Sequence, residues 1–254
     1  MFTKNSQARG VAATQPGPGP IPWLLSRLNG RPTSYLCLDL ETTGLSLESF
    51  IVAIGHCTVV DGQALTYDHR ILNWVNYPGV DMRQLEDNID RCRAGMGDRF
   101  HGIDMARMQQ VGEDPVVVLS DYLQLIERTK AAGLRFAGHS VLQFDKPRIE
   151  YAFSTWLNLP FRFPENAFID TAALVKGSKA GIMPQSHEDL DAYFLRVMQT
   201  RRKGIYFKLD SDCVREYDLA RKCDLDLTQA HKDPGFDCFL SHLLLQAMLE
   251  KAKV

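Results

Sequence analysis

A short apolar segment that ends in two carboxylates constrains the fold of this chain more than any other feature. Residues 35–45 read YLCLDLETTGL, so that four apolar residues come before Asp39 and Glu41, and a Thr-Thr-Gly turn follows. The apolar residues predict a buried strand over Ser34–Asp39. Side chains at positions i and i+2 of a strand lie on the same face, so Asp39 and Glu41 are predicted to project together.

This pair of acids is the first candidate metal site. Two neighbouring carboxylates repel each other, and each then tends to bind a proton. A hard divalent cation relieves that repulsion, and oxygen ligands suit Mg²⁺ or Mn²⁺. We therefore predict a metal site at Asp39 and Glu41, with a solvated strand end that carries two surface acids as the alternative.

The rest of the chain alternates between predicted strands and helices. Strands over Phe50–Val60 and Leu65–Asn73 flank an Asp61-Gly62 turn that is typical of a hairpin, and short strands follow at Leu134–Ala137 and Ala167–Asp170. This order predicts an α/β fold with a central mixed five-stranded sheet flanked by helices. The predicted helices cover Pro22–Leu28, Met82–Cys92, Ile103–Gln110, Pro115–Thr129, Phe144–Trp156 and Asp237–Lys251.

The composition fits one globular domain with little net charge. The chain has 254 residues, 45% of them hydrophobic, and a formal net charge of −2. Any contact with nucleic acid must therefore depend on local charges. Residues 1–20 are rich in Gly, Gln and Pro and are predicted to form a disordered leader. A single domain is predicted over 21–254, with insertions near 75–112 and 176–222.

Membrane, secreted and zinc-binding proteins are disfavoured. No apolar run approaches the ~18 residues of a membrane span, and the N-terminus lacks a secretory apolar core. The six cysteines form no CxxC pair, which argues against zinc and favours a reducing compartment. We expect a cytoplasmic protein. A mitochondrial one is the alternative, because basic residues and no acid precede Asp39.

Two later segments also place acids where a helix begins. Asp145 follows a short strand and lies in the first turn of the next helix, where the helix dipole favours a carboxylate. His231 precedes Asp237, which opens the last predicted helix. Each acid could instead be a simple helix cap, and His231 could be an ordinary loop histidine.

Four acids and one histidine fit a hydrolytic reaction. Hydrolysis of a phosphodiester needs an in-line water and stabilisation of charge on both the attacking and the leaving oxygens. Two cations about 3.5–4 Å apart, bridged by carboxylates, provide this stabilisation. A histidine can accept the proton of the water.

This set of residues resembles the DEDDh exonucleases, the DnaQ-like family of the ribonuclease H-like superfamily. The resemblance spans about residues 33–250, nearly the whole predicted domain. The matching residues are Asp39 and Glu41 within DLETTGL, Phe144 and Asp145, and His231 and Asp237.

The chain departs from the family pattern at two places. Ser140 stands where the family usually has Asn. Five residues, rather than the usual four, separate His231 from Asp237. A degenerate, inactive site is therefore an alternative to an active one.

The resemblance implies a fold, a reaction and a set of roles. The fold is the ribonuclease H-like exonuclease fold. The reaction is 3′–5′ exonucleolytic hydrolysis of single-stranded DNA or RNA, which releases nucleoside 5′-monophosphates by a two-metal mechanism. The implied metal ligands, for two Mg²⁺ or Mn²⁺ ions, are Asp39, Glu41, Asp145 and Asp237, and the implied proton acceptor is His231.

The resemblance also implies contacts to the terminal nucleotide. Thr42 and Thr43 are expected near its 3′-hydroxyl, and Leu45 and Phe144 against its base. Ordinary core packing is the alternative for Leu45 and Phe144.

A basic stretch interleaved with aromatic residues predicts a path for the rest of the strand. It includes Arg201, Arg202 and Lys203, with Tyr206 and Phe207 close behind them. Cations contact phosphates and aromatic rings stack on bases, a combination that suits single strands. A solvated helix face is the alternative.

The leading hypothesis is thus a free-standing exonuclease. A polymerase-associated proofreading subunit and a catalytically degenerate nucleic-acid-binding module are the alternatives, and a homodimer or a polymerase partner stays open. The choice between DNA and RNA depends on contacts to the 2′-hydroxyl, which a sequence does not reveal.

Overall fold

The computed structural model describes residues 19–222 and 227–251, and its centre is a five-stranded sheet with the strand order β3-β2-β1-β4-β5. Strand β1 therefore lies in the middle. The strands are β1 (Tyr35–Thr42), β2 (Ile51–Val60), β3 (Gln63–Ile71), β4 (Arg135–Gly138) and β5 (Phe168–Asp170). The predicted leader lies outside the described residues, except for Gly19 and Pro20.

Ten α-helices, some of a single turn, accompany the sheet in the described ranges. They are α1 (Pro20–Arg27), α2 (Met82–Met96), α3 (Met105–Val111), α4 (Pro115–Ala131), α5 (Asp145–Trp156), α6 (Thr171–Ala180), α7 (Leu190–Gln199), α8 (Val214–Glu216), α9 (Leu219–Lys222) and α10 (Pro234–Lys251). None of these helices is both long enough and apolar enough to cross a membrane.

The sheet is mixed, as predicted. Strand β2 pairs antiparallel with β1 and β3, whereas β4 runs parallel to β1 and β5. The predicted hairpin turn lies between β2 and β3, where Asp61 has φ 51° and Gly62 has φ 80°. Positive φ at both central residues gives a turn whose twist matches that of the strands.

The last helix, α10, packs across β1, β2 and β3. Its first turn approaches the sheet so closely that a Cβ on Gly55 of β2 would lie 2.2 Å from the carbonyl carbon of Pro234. Gly235 meets β3 in the same way, because a Cβ there would lie 2.6 Å from the carbonyl oxygen of Asp68. Any side chain at Gly55 or Gly235 would push the start of α10 away from the centre of the sheet.

Two element boundaries near the predicted site differ from the sequence prediction. Strand β1 continues past Asp39 to Thr42, because the residues that follow Asp39 still pair with β2, with a register shift after Glu41. Helix α10 starts at Pro234 rather than at Asp237. Proline is well suited to the first helical position, because its N–H would have no partner there.

Most of the described cysteines are core residues. Cys37, Cys57, Cys213 and Cys238 are buried free thiols, and Cys92 is a partly buried one. Cys223 lies outside the described residues.

Candidate active site

The five residues predicted to carry the reaction line one cavity of about 290 Å³. The cavity opens at the end of β1, between the first turns of α5 and α10. Its predicted members are Asp39, Glu41, Asp145, His231 and Asp237. The fold thus brings together side chains from three separate segments of the chain.

Strand geometry places the first two acids. Asp39 pairs directly with Gly55 and Glu41 with Ala53 in the antiparallel ladder of β1 and β2. Directly opposite residues share a face of the sheet, so Asp39 projects on the side where the missing side chain of Gly55 admits α10. Asp39 is partly buried, and Glu41 is 9% exposed.

Two helix starts bring the other acids to the same end of β1. Asp145 is the first residue of α5 and is 1% exposed, and Asp237 lies in the first turn of α10 and is 3% exposed. The positive end of each helix dipole offsets part of the repulsion between these anions.

The carboxylates have the arrangement and the free atoms that a divalent cation requires. Oxygens of Asp39, Glu41 and Asp237 lie within 4.8 Å of one another. Oδ1 of Asp145 and Oδ1 of Asp237 are buried without a hydrogen-bond partner, although buried polar atoms are normally paired. An all-oxygen donor set with unsatisfied buried carboxylate atoms fits Mg²⁺ or Mn²⁺.

Without a cation, crowding of the acids opposes their ionisation. Burial, and then the neighbouring Asp145 and Asp237, raise the pKa of Asp39 well above its usual range. Burial and the charge of Asp237 raise the pKa of Glu41 to about 8. Burial also raises the pKa values of Asp145 and Asp237. A cation among these carboxylates would reverse the shifts, because it stabilises the charged forms.

His231 is held at the edge of the cluster by backbone and side-chain contacts. Its φ of 63° is left-handed, and this turn lets its backbone N–H donate to Asp237 Oδ2 at 3.0 Å. The segment between His231 and Asp237 is one residue longer than in the family pattern. The left-handed turn at His231 and the start of α10 at Pro234 accommodate that residue, so His231 still contacts Asp237. Nδ1 of the ring lies 3.6 Å from Asp237 Oδ2.

Sequence reasoning missed two residues that contact His231. Asp210 Oδ2 lies 2.9 Å from His231 Nε2, and Arg99 Nη2 lies 3.3 Å from the same nitrogen. Burial alone lowers the pKa of His231, but the hydrogen bonds to Asp210 and Asp237 outweigh it and raise that pKa to about 9. Both missed residues lie in short helical turns without a recognisable motif, Arg99 in the 3-10 turn Gly97–Arg99 and Asp210 in the π-helical turn Leu209–Cys213.

A larger cavity of about 490 Å³ adjoins the carboxylate cavity. The predicted contacts to the terminal nucleotide all line it, namely Thr42, Thr43, Leu45 and Phe144. Leu45 is 85% exposed, so it is not a core residue. Leu40, Glu41 and Phe144 line both cavities, which are therefore next to each other.

The opposite wall of this larger cavity comes from α2, within the predicted insertion near 75–112. Asn88, Arg91, Cys92 and Met96 line it. Arg91 and Cys92 follow Asn88 by three and four positions, and Met96 follows Cys92 by four, so all four residues occupy one face of the helix. This spacing in the sequence is typical of one face of a helix, but the sequence does not show that the face lines a cavity.

Arg148 of α5 holds two of the cavity walls together. It is 5% exposed, and its guanidinium donates to the carbonyl oxygens of Phe144, at 2.7 Å, and Leu45. Its Cζ lies 3.7 Å from the centre of the Phe144 ring. The backbone at Leu45 is thereby attached to the helix that begins with Asp145.

The predicted basic contacts lie outside both cavities. Arg201, Arg202 and Lys203 are exposed on an irregular segment, and Arg202 donates to the carbonyl oxygen of Ala180 at 2.7 Å. The same segment then reaches the carboxylate cavity, which Phe207 and Lys208 line. No hydrogen-bond or ion-pair partner of the Lys208 side chain occurs among residues 19–222 and 227–251.

Asp170 is an acid close to the site that supports the backbone instead of facing the cavity. Its carboxylate accepts from the N–H groups of Ala173 at 3.0 Å and of Ser140 and Leu142 at 3.2 Å each. These bonds cap α6 and hold the turn that leads from β4 to Asp145. Ser140 has φ 68° in this turn, a conformation that Asn adopts more readily.

The fold is similar to that of exonuclease I. The zinc-bound complex of E. coli exonuclease I with single-stranded DNA aligns over 88% of this chain with a TM-score of 0.54 and 13% identity. E. coli exonuclease I in complex with a dA16 oligonucleotide aligns over 86% with a TM-score of 0.54 and 12% identity. The chain spans about 41% of the length of these proteins. The predicted exonuclease fold, with its mixed five-stranded sheet, is confirmed.

No family model and no curated protein sequence matches the chain. At 13% identity, the likeness to exonuclease I establishes the fold alone. The assignment of an activity must therefore rest on the site itself.

Proposed function

We propose that the chain is a metal-dependent 3′–5′ exonuclease of the DEDDh type, which hydrolyses single-stranded DNA or RNA. The observation that carries the proposal is the cluster of Asp39, Glu41 and Asp237, whose oxygens lie within 4.8 Å of one another. The buried, unpaired Oδ1 atoms of Asp145 and Asp237 support it, because no structural role explains them.

Each of the four acids that line the carboxylate cavity has a role in this reaction. Asp39, Glu41, Asp145 and Asp237 hold two Mg²⁺ or Mn²⁺ ions, which when bound lower the pKa of the attacking water and stabilise charge on the phosphate. Each carboxylate is fixed at a strand end or a helix start, so little rearrangement is needed during the reaction. His231 accepts the proton of the attacking water, because cations held by the neighbouring carboxylates would lower the raised pKa of its ring and leave it neutral.

The larger cavity determines which bond is cut. Its 490 Å³ is of the size of known small-molecule sites, and we assign it to the terminal nucleoside. Leu45 and Phe144 pack against the base. The Thr43 hydroxyl accepts from the N–H of Phe50 at 3.1 Å and keeps its own proton for a ligand oxygen such as the 3′-hydroxyl. The Thr42 hydroxyl donates to the carbonyl oxygen of Gly44 and keeps a lone pair.

Cleavage then occurs one nucleotide from the end. With the 3′-terminal nucleoside in the larger cavity, its 5′-phosphate lies at the carboxylate cluster, and the product is a nucleoside 5′-monophosphate. The segment Arg201–Lys208, which we call the basic segment, leads away from the cluster and offers exposed cations to the preceding phosphates. Its exposed Tyr206 offers a ring on which a base can stack.

A degradation assay tests the proposal. Single-stranded DNA and RNA oligomers, labelled at the 5′ end, are incubated with Mg²⁺ or Mn²⁺. A ladder that shortens from the 3′ end and disappears with chelator or in Asp39→Ala is expected. Absence of cleavage of both oligomers, with binding unchanged, would contradict catalysis and favour a nucleic-acid-binding module.

A further inference from the structure

We propose that Asp210 is a positioning residue that fixes the ring of His231 for proton transfer, an inference that rests on the proposed function. Asp210 Oδ2 lies 2.9 Å from His231 Nε2. Asp210 is not one of the four acids that face the cation site, and it does not line the carboxylate cavity. It therefore acts through His231 and has no contact with the reacting atoms.

The contact with Asp210 decides which ring nitrogen can receive a proton. An ionised carboxylate only accepts hydrogen bonds, so Nε2 of His231 must carry the proton that this bond requires. In the neutral imidazole the lone pair is then on Nδ1. Nδ1 lies 3.6 Å from Asp237 Oδ2, so the accepting nitrogen faces the carboxylate cluster.

In the proposed hydrolysis, each bond that forms or breaks and each proton that moves can be assigned to an atom. The water oxygen forms a bond to phosphorus, and its proton passes to Nδ1 of His231. The bond between phosphorus and the 3′-oxygen of the preceding nucleotide breaks, and its electron pair goes to that oxygen, which takes a proton from solvent. Asp210 keeps its own charge throughout, since it only holds the Nε2 proton.

Asp210 is itself held in a fixed position. It lies in the five-residue π-helical turn Leu209–Cys213, a type of turn that often occurs at functional sites. The hydroxyl of Ser211 donates to its Oδ1 at 3.1 Å. One residue before the turn, the Lys208 N–H donates to Asp212 Oδ2 at 3.0 Å.

A partly buried histidine, His139, attaches the segment before this turn to the sheet. His139, directly after β4, lies with Nε2 2.7 Å from the carbonyl oxygen of Phe207. The carbonyl only accepts, so His139 donates this bond. On its other side, His139 Nδ1 lies 3.0 Å from the hydroxyl of Thr171 at the start of α6. The orientation of Asp210 is thereby fixed relative to β4, and the turn after β4 leads to Asp145.

Arg99 lies close to both Asp210 and His231. Its guanidinium Nε lies 4.0 Å from Asp210 Oδ2. A guanidinium has donors only, so it favours the ionised, accepting form of Asp210. Arg99 Nη2 also lies 3.3 Å from His231 Nε2, but both groups carry protons there, so that contact is not a hydrogen bond and Asp210 Oδ2 is the acceptor that both groups face.

Kinetics of four variants test the inference. Asp210→Asn keeps the shape of the side chain but removes its charge, and Asp218→Asn makes the same change on an exposed residue whose contact is with Arg221. The others are His231→Ala and the double variant of Asp210 and His231. The substrate is the 5′-labelled oligomer that the wild type degrades, with Mn²⁺.

We expect Asp210→Asn to lower kcat by about 10–100-fold, with KM within about twofold of the wild-type value. The double variant should be no slower than His231→Ala, because both changes remove one function. Asp218→Asn should match the wild type. An Asp210→Asn variant as fast as the wild type, or a double variant whose losses multiply, would overturn the inference.

NMR spectroscopy tests the contact between Asp210 and His231 without a measurement of activity. In protein labelled with ¹⁵N-histidine, His231 is assigned by its absence from His231→Ala. A hydrogen-bonded Nε2–H proton is expected in the wild type and in Asp218→Asn, and its loss is expected in Asp210→Asn. Absence of that proton from the wild type would overturn the positioning contact. A wild type that shows the proton but degrades no oligomer would overturn the proposed function, and the role of Asp210 with it.

Discussion

The carboxylate cavity and the basic segment lie side by side, yet they are built differently. The acids of the cavity stand on β1 and on the first turns of α5 and α10, largely buried, with two oxygens unpaired. The basic segment, Arg201–Lys208, has no regular structure, and its Tyr206 is 66% exposed. The two meet at Phe207 and Lys208, which line the cavity.

This difference indicates that the two regions have different functions. Groups that must keep a position to within a fraction of an ångström are fixed on rigid elements. Groups that contact a flexible, charged strand are exposed on a loop. Substitutions in the cavity should therefore affect catalysis and metal binding strongly, whereas those in the basic segment should affect affinity and its salt dependence weakly.

The largest effect is expected from Asp39→Asn. Loss of one ligand removes several kcal/mol of charge stabilisation, which corresponds to a rate at least about 10³-fold lower. Stabilisation of the fold by Mn²⁺, measured as the rise in Tm, should also be lost. The matched control is Asp170→Asn, a buried acid that caps α6. Asp170→Asn should lower Tm, but its Tm should still rise when Mn²⁺ is added. If that rise were lost in the control as well, the loss in Asp39→Asn could not be assigned to a metal ligand.

The next effect is a dependence of metal-free stability on pH. The pKa of Glu41 rises from 4.5 to about 8 in the folded protein, so the folded state retains a proton that the unfolded chain releases. This contribution to the free energy of unfolding is fully present below pH 4.5 and is lost as pH rises towards about 8. The Tm in chelator should fall across that window less steeply in Glu41→Gln than in the wild type. Equal slopes would show that Glu41 does not hold the proton.

A smaller effect is expected at the rim of the larger cavity. Leu45→Ala removes apolar contact with the terminal base and should cost about 1–2 kcal/mol of binding, a rise in KM of roughly 5–30-fold. Its Tm should not change, because Leu45 is 85% exposed. Leu65→Ala is the control, an exposed leucine on β3 that lines neither cavity. A rise in KM in both variants would exclude a specific contact.

The smallest effect is expected in the basic segment. Arg201→Ala and Lys203→Ala should each weaken binding of a single-stranded oligomer by about two- to threefold, and each should reduce the slope of log affinity against log salt by about 1. Arg128→Ala, an exposed cation of α4, serves as the control. Fluorescence anisotropy at several salt concentrations measures both quantities. An unchanged slope would show that the segment has no contact with phosphates.

Patterns of regular spacing allowed much of the fold to be predicted. The alternation around Asp39 and Glu41 predicted a shared face, and the Asp61-Gly62 turn predicted the hairpin. The end of β1 and the start of α10 were wrong by three residues each. The polar residues that follow Asp39 did not fit the pattern of a buried strand. Nor did the sequence show that Gly55 and Gly235 allow the first turn of α10 to pack directly on the sheet.

The candidate site was predictable where a sequence motif carries its residues, as for Asp39 and Glu41, and also for His231, which lies in a turn. The contact between Asp210 and His231 joins a π-helical turn to a loop turn 21 positions along the chain, and no period or propensity in the sequence predicts that the two meet. The same holds for Arg99, which contacts a residue 132 positions away. Such contacts follow from tertiary packing, so they need a structure.

The most direct test of the account is an anomalous difference map of crystals soaked with Mn²⁺ and a nucleoside 5′-monophosphate. The account predicts a peak among the carboxylates of Asp39, Glu41 and Asp237, with the phosphate beside it and the nucleoside in the larger cavity. A protein that binds Mn²⁺ at another place, or that leaves these carboxylates without a cation at saturating Mn²⁺, would contradict it.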